Sequence, residues 1–108
     1  MRVFISQPMA GLTDEEILDV REKAIEEIKS IYQFYDRNNN LEIVSTFEVN
    51  ENEIVPRNTS RIWWLGRAIQ MLDGCDTIFM CKGWEDSKGC KVERQVAIEY
   101  LLNIRYQK

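Results

Sequence analysis

The chain alternates short, continuous apolar runs with longer stretches in which apolar residues recur every three or four positions. The short runs are rich in β-branched residues and predict buried strands. The longer stretches have the period of amphipathic helices. The predicted strands are RVFIS (2–6), LEIVSTF (41–47) and DTIFMC (76–81).

A helix is predicted after each strand. The first begins at a capping box formed by Thr13 and Glu16. The polar residues 48–59 are expected to form a loop before the second helix, and IRYQK (104–108) is either a fourth short strand or a frayed end. The predicted helices run from Thr13 to about residue 35, from Ile62 to near residue 74, and from near Ser87 to about Asn103.

This alternating order predicts one α/β domain over residues 1–108, with a parallel sheet, right-handed crossovers and helices on both faces. In such sheets the ligand crevice lies outside the carboxyl ends of the strands. The loops SQPMAG (6–11) and KGWEDSKG (82–89) leave the first and third strands. We therefore expect these two loops to be neighbours.

Composition narrows the chemistry available at that crevice. The chain has no histidine, which excludes Ser–His and Cys–His nucleophile pairs. Its three cysteines lack CxxC spacing, so neither a disulfide framework nor a zinc site is expected. The net charge of -4 disfavours polymeric nucleic acid. Residues 55–108, however, carry 9 bases against 6 acids, which suits a small anionic ligand.

No apolar run is long enough to cross a membrane, so no membrane partner is expected. The N-terminal residues MRVFISQPM contain too short an apolar stretch for a signal peptide and fit a strand better. A cytoplasmic location is therefore expected.

Glu93 occupies an unusual position on the last predicted helix, because it falls on the apolar face near the helix start. Backbone N–H groups there favour an anion, whereas partial desolvation raises the pKa of a carboxyl group. That environment suits a nucleophile or a general acid–base. Alternatively, Glu93 caps its own helix or pairs with Arg94 or Lys91. The apolar face is predicted to consist of Val96, Ala97, Tyr100 and Ile104.

Ser87 and Gly89 precede this glutamate at the predicted helix start. Ser87 is a suitable N-cap, Gly89 permits close approach to the backbone, and free N–H groups at a helix start bind phosphate. The alternative is an ordinary N-cap followed by a tolerated glycine.

Residues 83–93 follow the pattern Gly-Trp-x-x-Ser-x-Gly-x-x-x-Glu. Together with VFISQPMAG (3–11), CDTIFMCKGWEDSKGCKVE (75–93) and QVAIEY (95–100), they resemble the nucleoside 2-deoxyribosyltransferase-like superfamily. The likeness is closest to its small DUF4406-type branch and covers most of the chain. The resemblance implies a three-layer Rossmann-like or flavodoxin-like fold with three to five strands. It also implies N-glycosidic bond chemistry without a metal or organic cofactor.

The resemblance assigns roles residue by residue. Glu93 attacks or stabilises C1′ of a ribosyl or deoxyribosyl group as the base leaves, and Ser87 and Gly89 hold a 5′-phosphate, helped by Lys88 or Lys91. Trp84 either stacks on the base or packs beneath its loop. The remaining residues expected to line the ligand pocket are Ser6, Gln7, Pro8, Met9, Gly11 and Gly83.

The sequence also departs from the superfamily pattern. Ala68 stands where active relatives carry an aspartate on the preceding helix. Asp86, or Asp73 in a different register, would have to replace it; otherwise the chain is a nucleotide-binding module without catalysis. Gln7 replaces a glycine and is expected to narrow the sugar pocket. A TIR-like NAD glycohydrolase, which also uses a glutamate at C1′, is a further alternative.

The expected partner is a nucleoside or nucleotide, and the resemblance also implies a homodimer or larger homo-oligomer. Trp63 and Trp64 are adjacent on the second predicted helix, so they cannot both face one core. One is expected to be exposed or at an interface, where aromatic residues concentrate. Alternatively, one is buried and the loop at 48–59 partly covers the other.

Overall fold

A computed structural model describes residues 1–46 and 54–108 of the protein. Its sheet contains four parallel strands in the order β2-β1-β3-β4. The final strand shows that the segment after the last helix is ordered strand rather than a frayed end. The strands are β1 (Arg2–Ser6), β2 (Glu42–Val44), β3 (Thr77–Met80) and β4 (Asn103–Tyr106).

The three predicted helices are present, and a short extra helix follows the first. Their positions confirm the alternating order read from the sequence, although two helices end earlier than expected. The helices are α1 (Asp14–Ile31), α2 (Gln33–Arg37), α3 (Arg61–Leu72) and α4 (Lys88–Glu99), with a 3-10 turn at Trp84–Asp86.

The early helix ends have local backbone causes. Tyr32 has φ -108° and ψ 44°, which ends α1 and sets α2 off as a separate turn. Leu101 has a left-handed φ of 61°, and β4 begins two residues later. The prediction that α4 reaches Asn103 was therefore wrong. Tyr100, predicted on the apolar face, is 78% exposed, and Ile104 lies on β4.

The second predicted strand is shorter than expected, because β2 ends at Val44. Residues 47–53, which include the end of that predicted strand and the start of the predicted loop, lie outside the described residues. Beyond them, residues 54–59 form no helix or strand, and Ser60 caps α3 by accepting a hydrogen bond from the Trp63 N–H.

Helices cover both faces of the sheet, as predicted. Side chains alternate along β1, so Val3 faces one layer and Phe4 the other. One core contains α1 residues and the opposite core contains residues of α3 and α4. The first core is Val3, Ile5, Ala24, Ile28, Phe79 and Cys81; the second is Phe4, Ala68, Leu72, Cys75, Ile78, Met80, Cys90 and Ala97.

The strand order reverses between β1 and β3, because the chain moves from β1 to β2 on one side and from β3 to β4 on the other. Ser6 is in register with Met80, so the carboxyl ends of β1 and β3 are level. The Cys81 N–H donates to the Ser6 carbonyl over 2.9 Å, which confirms that the two loops leaving these strands are neighbours. This reversal is where doubly wound sheets open a ligand crevice.

Across residues 1–46 and 54–108, the helices are all too short or too polar to span a bilayer.

Candidate functional site

A cavity of about 450 Å³ opens at the carboxyl ends of β1 and β3. Its size is in the range of small-molecule sites. Three parts of the chain form its walls: the end of β1 with the start of α1, the first turns of α3 with Thr46, and the first turns of α4. The described lining residues are Ile5, Gln7, Met9, Ala10, Ile17, Thr46, Arg61, Trp64, Leu65, Ser87, Gly89, Cys90 and Glu93.

Glu93 lies in the α4 wall and is only 9% exposed. The helix turns its side chain toward the end of β1, where the Ser6 hydroxyl donates a hydrogen bond to Glu93 Oε1 over 2.6 Å. Ser6 itself is fully buried and outside the set of lining residues. Ser6 therefore positions the carboxylate through this hydrogen bond without itself lining the cavity.

Burial raises the pKa of Glu93 from 4.5 to about 7, while the hydrogen bond from Ser6 acts in the opposite direction. Desolvation dominates because one neutral hydroxyl replaces only part of the lost hydration. No ion pair involving Glu93 occurs within residues 1–46 and 54–108. At neutral pH this group is therefore available both as a carboxylate and as a carboxylic acid.

The start of α4 presents the backbone to the same cavity. Ser87 is the N-cap, and its hydroxyl accepts a hydrogen bond from the Cys90 N–H over 3.3 Å. In the described part of the chain, the N–H groups of Lys88 and Gly89 have no partner. A Cβ added at Gly89 would meet no protein atom within 4 Å. Gly89 therefore leaves space beside two free N–H groups at a positive helix end.

Gln7 belongs to the wall formed by the end of β1 and the start of α1, and it is 5% exposed. Its Nε2 donates to the Ile17 carbonyl over 3.0 Å. Among the described residues, Gln7 Oε1 has no hydrogen-bond partner despite its burial. The cavity thus contains a carboxyl group on one side and a buried amide acceptor on another.

The α3 wall was not predicted from the sequence. Arg61 brings a cation to the cavity, and Trp64 brings an aromatic ring whose Nε1 donates to Thr59 Oγ1 over 2.9 Å. Trp63 and Trp64 are both half-buried, and their rings pack edge to face at 4.9 Å, so neither is fully exposed, and the expectation that one of them lies at an interface stays a prediction. The only sequence signal for Trp64 was its position one helical turn before Ala68.

Several residues predicted for the ligand pocket do line the cavity: Gln7, Met9, Ser87, Gly89 and Glu93. The others are not among the described lining residues. These are Ser6, Pro8, Gly11, Gly83, Trp84, Asp86 and Lys88.

The Trp84 side chain contacts other side chains and does not line the cavity. Its ring packs against Tyr106 with 5.8 Å between centroids, and the Arg94 guanidinium lies 4.8 Å from its centroid. Arg94 Nε in turn donates to the Tyr106 hydroxyl over 2.9 Å. This arrangement corresponds to the packing role predicted as the alternative to base stacking.

No second carboxyl group joins Glu93 among the described residues that line the cavity. Ala68, where an aspartate was expected, is 1% exposed and packs in the core. Asp86 lies exposed on the 3-10 turn. Asp73 lies beyond α3, where its carbonyl accepts a hydrogen bond from Arg2 at the start of β1, so it belongs to the opposite edge of the sheet.

The cysteines do not supply an activated thiolate. All three are buried, and burial raises the pKa of each, for Cys81 to about 12. Cys90 lines the cavity beside Ser6 and Ser87, whose hydrogen bonds lower its pKa less than burial raises it. In the described ranges, no three His, Cys, Asp or Glu residues are placed to hold a metal ion.

The fold and cavity define a doubly wound α/β domain in which the buried carboxyl group of Glu93 lies at the point where the strand order reverses. Over residues 1–106 the chain matches the family described as a domain of unknown function, DUF4406, and it belongs to that family. Comparisons with curated proteins and with solved structures gave no match.

Proposed function

We propose that the protein acts on the N-glycosidic bond of a nucleoside or nucleoside 5′-monophosphate, as a hydrolase or a 2-deoxyribosyltransferase-like enzyme. The observation that carries this proposal is the carboxyl group of Glu93, which is buried in the cavity, held by Ser6 and has a pKa of about 7. The resemblance of residues 83–93 to the nucleoside 2-deoxyribosyltransferase-like superfamily supports the same chemistry.

In the proposed reaction, one Glu93 oxygen attacks or stabilises C1′ of the sugar. The C1′–N bond breaks, its electron pair leaves with the base, and the base takes a proton from solvent. Water or a second base then takes the sugar. Ser6 keeps the carboxyl group oriented because its hydroxyl holds Oε1 while Oε2 carries no protein hydrogen bond within residues 1–46 and 54–108. A fixed carboxylate gains rate through orientation and low local dielectric.

The start of α4 supports a phosphate-bearing substrate. The free N–H groups of Lys88 and Gly89 lie at the positive end of a 12-residue helix, and the space beside Gly89 admits a ligand. Arg61 adds a cation on another wall of the same cavity. Among the described lining residues, Trp64 is the aromatic residue available to contact a base, whereas Trp84 is not among them.

The test is base release measured by chromatography. The purified protein is incubated with ribonucleosides, deoxyribonucleosides, their 5′-monophosphates and NAD. Glu93→Gln is the test variant, and Glu99→Gln is its matched control, because Glu99 is an exposed glutamate on the same helix whose carboxylate accepts a hydrogen bond from Gln95. We expect release from one substrate class, retained in Glu99→Gln and reduced at least 100-fold in Glu93→Gln.

Release that is equal in Glu93→Gln and in the unmodified protein would refute the assignment. Release from NAD alone would instead favour the TIR-like alternative. Adding a second free base to the mixture separates a transferase, which forms a new nucleoside, from a hydrolase, which does not.

A nucleotide-binding module without catalysis is the second candidate, and one observation favours it. Glu93 is the sole acidic residue among the described cavity residues, and Ala68 lies buried in the position expected for an aspartate. Ligand-induced thermal stabilisation with no base released from any substrate would establish this second function.

A further inference from the structure

The amide of Gln7 has its two ends in different environments. Nε2 donates to the Ile17 carbonyl over 3.0 Å, while Oε1 has no partner in the part of the chain that the structure describes. The side chain is 5% exposed and lines the cavity. A buried acceptor without a donor destabilises a fold, and such groups are rare in native proteins.

The orientation of this amide follows from its neighbour. The Ile17 carbonyl is an acceptor, so it must face the NH₂ end of the amide and not the oxygen. A flipped amide would place two acceptors against each other at 3.0 Å. The unpaired atom of Gln7 is therefore an oxygen, and what it lacks is a donor.

We propose that Gln7 Oε1 accepts a hydrogen bond from an N–H or O–H group of the bound ligand and thereby determines which nucleosides or nucleotides the cavity accepts. This inference rests on the proposed function. The donor has three sources in such a ligand: a sugar hydroxyl, an exocyclic amino group of the base or a ring N–H of the base. Sites that pair a buried group with a ligand donor discriminate strongly against analogues that lack the donor.

The location of Gln7 in the chain links this contact to the carboxyl group. Gln7 directly follows Ser6, which holds Glu93, and its side chain extends toward α1. One ligand can therefore contact Glu93 and Gln7 together within the cavity. Replacing Gln7 with a residue that has no hydrogen-bond acceptor would leave the Glu93 carboxyl group in place. It would remove only the proposed hydrogen bond to the ligand.

The test compares Gln7→Met with the unmodified residue in a Glu93→Gln background, which prevents turnover. Calorimetry measures the affinities of AMP, CMP, GMP and UMP and of analogues that lack the 2′-hydroxyl, the 3′-hydroxyl, the exocyclic amino group or the ring N–H of the parent. We expect Gln7→Met to weaken binding of the preferred parent nucleotide about 10-fold or more. The analogue that lacks the donor should bind both proteins equally, which identifies the donor.

Melting temperature separates recognition from structure. Methionine fills similar space and removes both the unpaired oxygen and the hydrogen bond from Nε2 to the Ile17 carbonyl. These two effects on stability are opposite in sign and similar in size, so we expect the melting temperature of Gln7→Met without ligand to change little. Gln95→Met, on the exposed side of α4, is the matched control and should not change affinity.

Two results would overturn the inference: parent-to-analogue affinity ratios that Gln7→Met leaves unchanged, or uniform weakening accompanied by a lower melting temperature. If AMP, CMP, GMP, UMP and all analogues fail to bind either protein, the proposed function fails together with the inference. If they bind independently of Gln7, only the inference fails.

Discussion

Glu93 should destabilise the folded protein at neutral and alkaline pH, and Glu93→Gln should remove that cost. The pKa of Glu93 is raised by burial from 4.5 to about 7, so the folded state binds its proton more tightly than the unfolded state does. Stability attributable to this group is therefore greatest below about pH 4.5 and falls as the pH rises to about 7.

The magnitude follows from the size of the pKa change. Each unit corresponds to 1.36 kcal/mol, so a rise from 4.5 to about 7 costs roughly 3 kcal/mol once the group is ionised. Glutamine is nearly isosteric, and its Oε1 can still accept the hydrogen bond from Ser6. We therefore expect Glu93→Gln to be more stable than the parent by up to about 3 kcal/mol at pH 8 and nearly equal to it at pH 4.

The assay is chemical denaturation of both proteins at pH values from 4 to 8. Every other titrating group is common to the two proteins, so the difference in unfolding free energy isolates Glu93. In thermal melts the pH 8 difference corresponds to roughly 13 °C for a domain of this size. Glu99→Gln controls for removal of a surface charge, and its difference should stay small across the range.

The reasoning would be refuted if the stability difference did not grow between pH 4.5 and 7, or if Glu93→Gln were the less stable protein at pH 8. Either result would mean that water, or a charge outside the described residues, compensates the buried carboxylate.

Three further variants test the site. Ser6→Ala removes the hydrogen bond that lowers the pKa of Glu93, so the pH at which stability is lost should move upward in the same denaturation series. Gly89→Ala should keep or slightly raise stability, because its Cβ meets no protein atom, yet weaken nucleotide affinity at least 10-fold by calorimetry. Trp64→Leu should abolish most ligand-induced quenching of tryptophan fluorescence, whereas Trp84→Leu should retain it.

Each of these expectations has a result that contradicts it. An unchanged pH midpoint in Ser6→Ala would show that the hydroxyl does not stabilise the carboxylate. Undiminished affinity in Gly89→Ala would remove the start of α4 from the binding site. Quenching lost in Trp84→Leu but kept in Trp64→Leu would place the base outside the cavity.

The layered fold and the position of Glu93 were predictable because both follow from short-range periodicity. A carboxylate on the apolar face near a helix start is visible in the sequence, and α4 places it as expected. The end of α4 was not predictable, since it depends on the left-handed backbone at Leu101. Tyr100 was assigned to the buried face only because the helix was extended past that point.

The α3 wall was missed for a different reason. Trp64 and Arg61 reach the cavity only because the crossover from β2 to β3 brings α3 over the carboxyl end of the sheet, and hydrophobic periodicity carries no information about that placement. The unpaired oxygen of Gln7 was equally hidden, because it depends on the approach of the Ile17 carbonyl. In this chain, sequence patterns therefore predict the position of Glu93 more readily than they predict the cavity residues around it.

The division of the cavity between α4 and α3 has a consequence for how such domains diverge. Cys90 and Glu93 on α4 are buried, so substitutions there disturb the fold as well as the chemistry. Arg61 on α3 is exposed, so its replacement costs little stability, and the half-buried Trp64 is less constrained than the buried residues of α4. Substitutions that accumulate in α3 would change which ligand the cavity binds, whereas Glu93 would be retained. Homologous domains would then share a reaction type and differ in what they act upon.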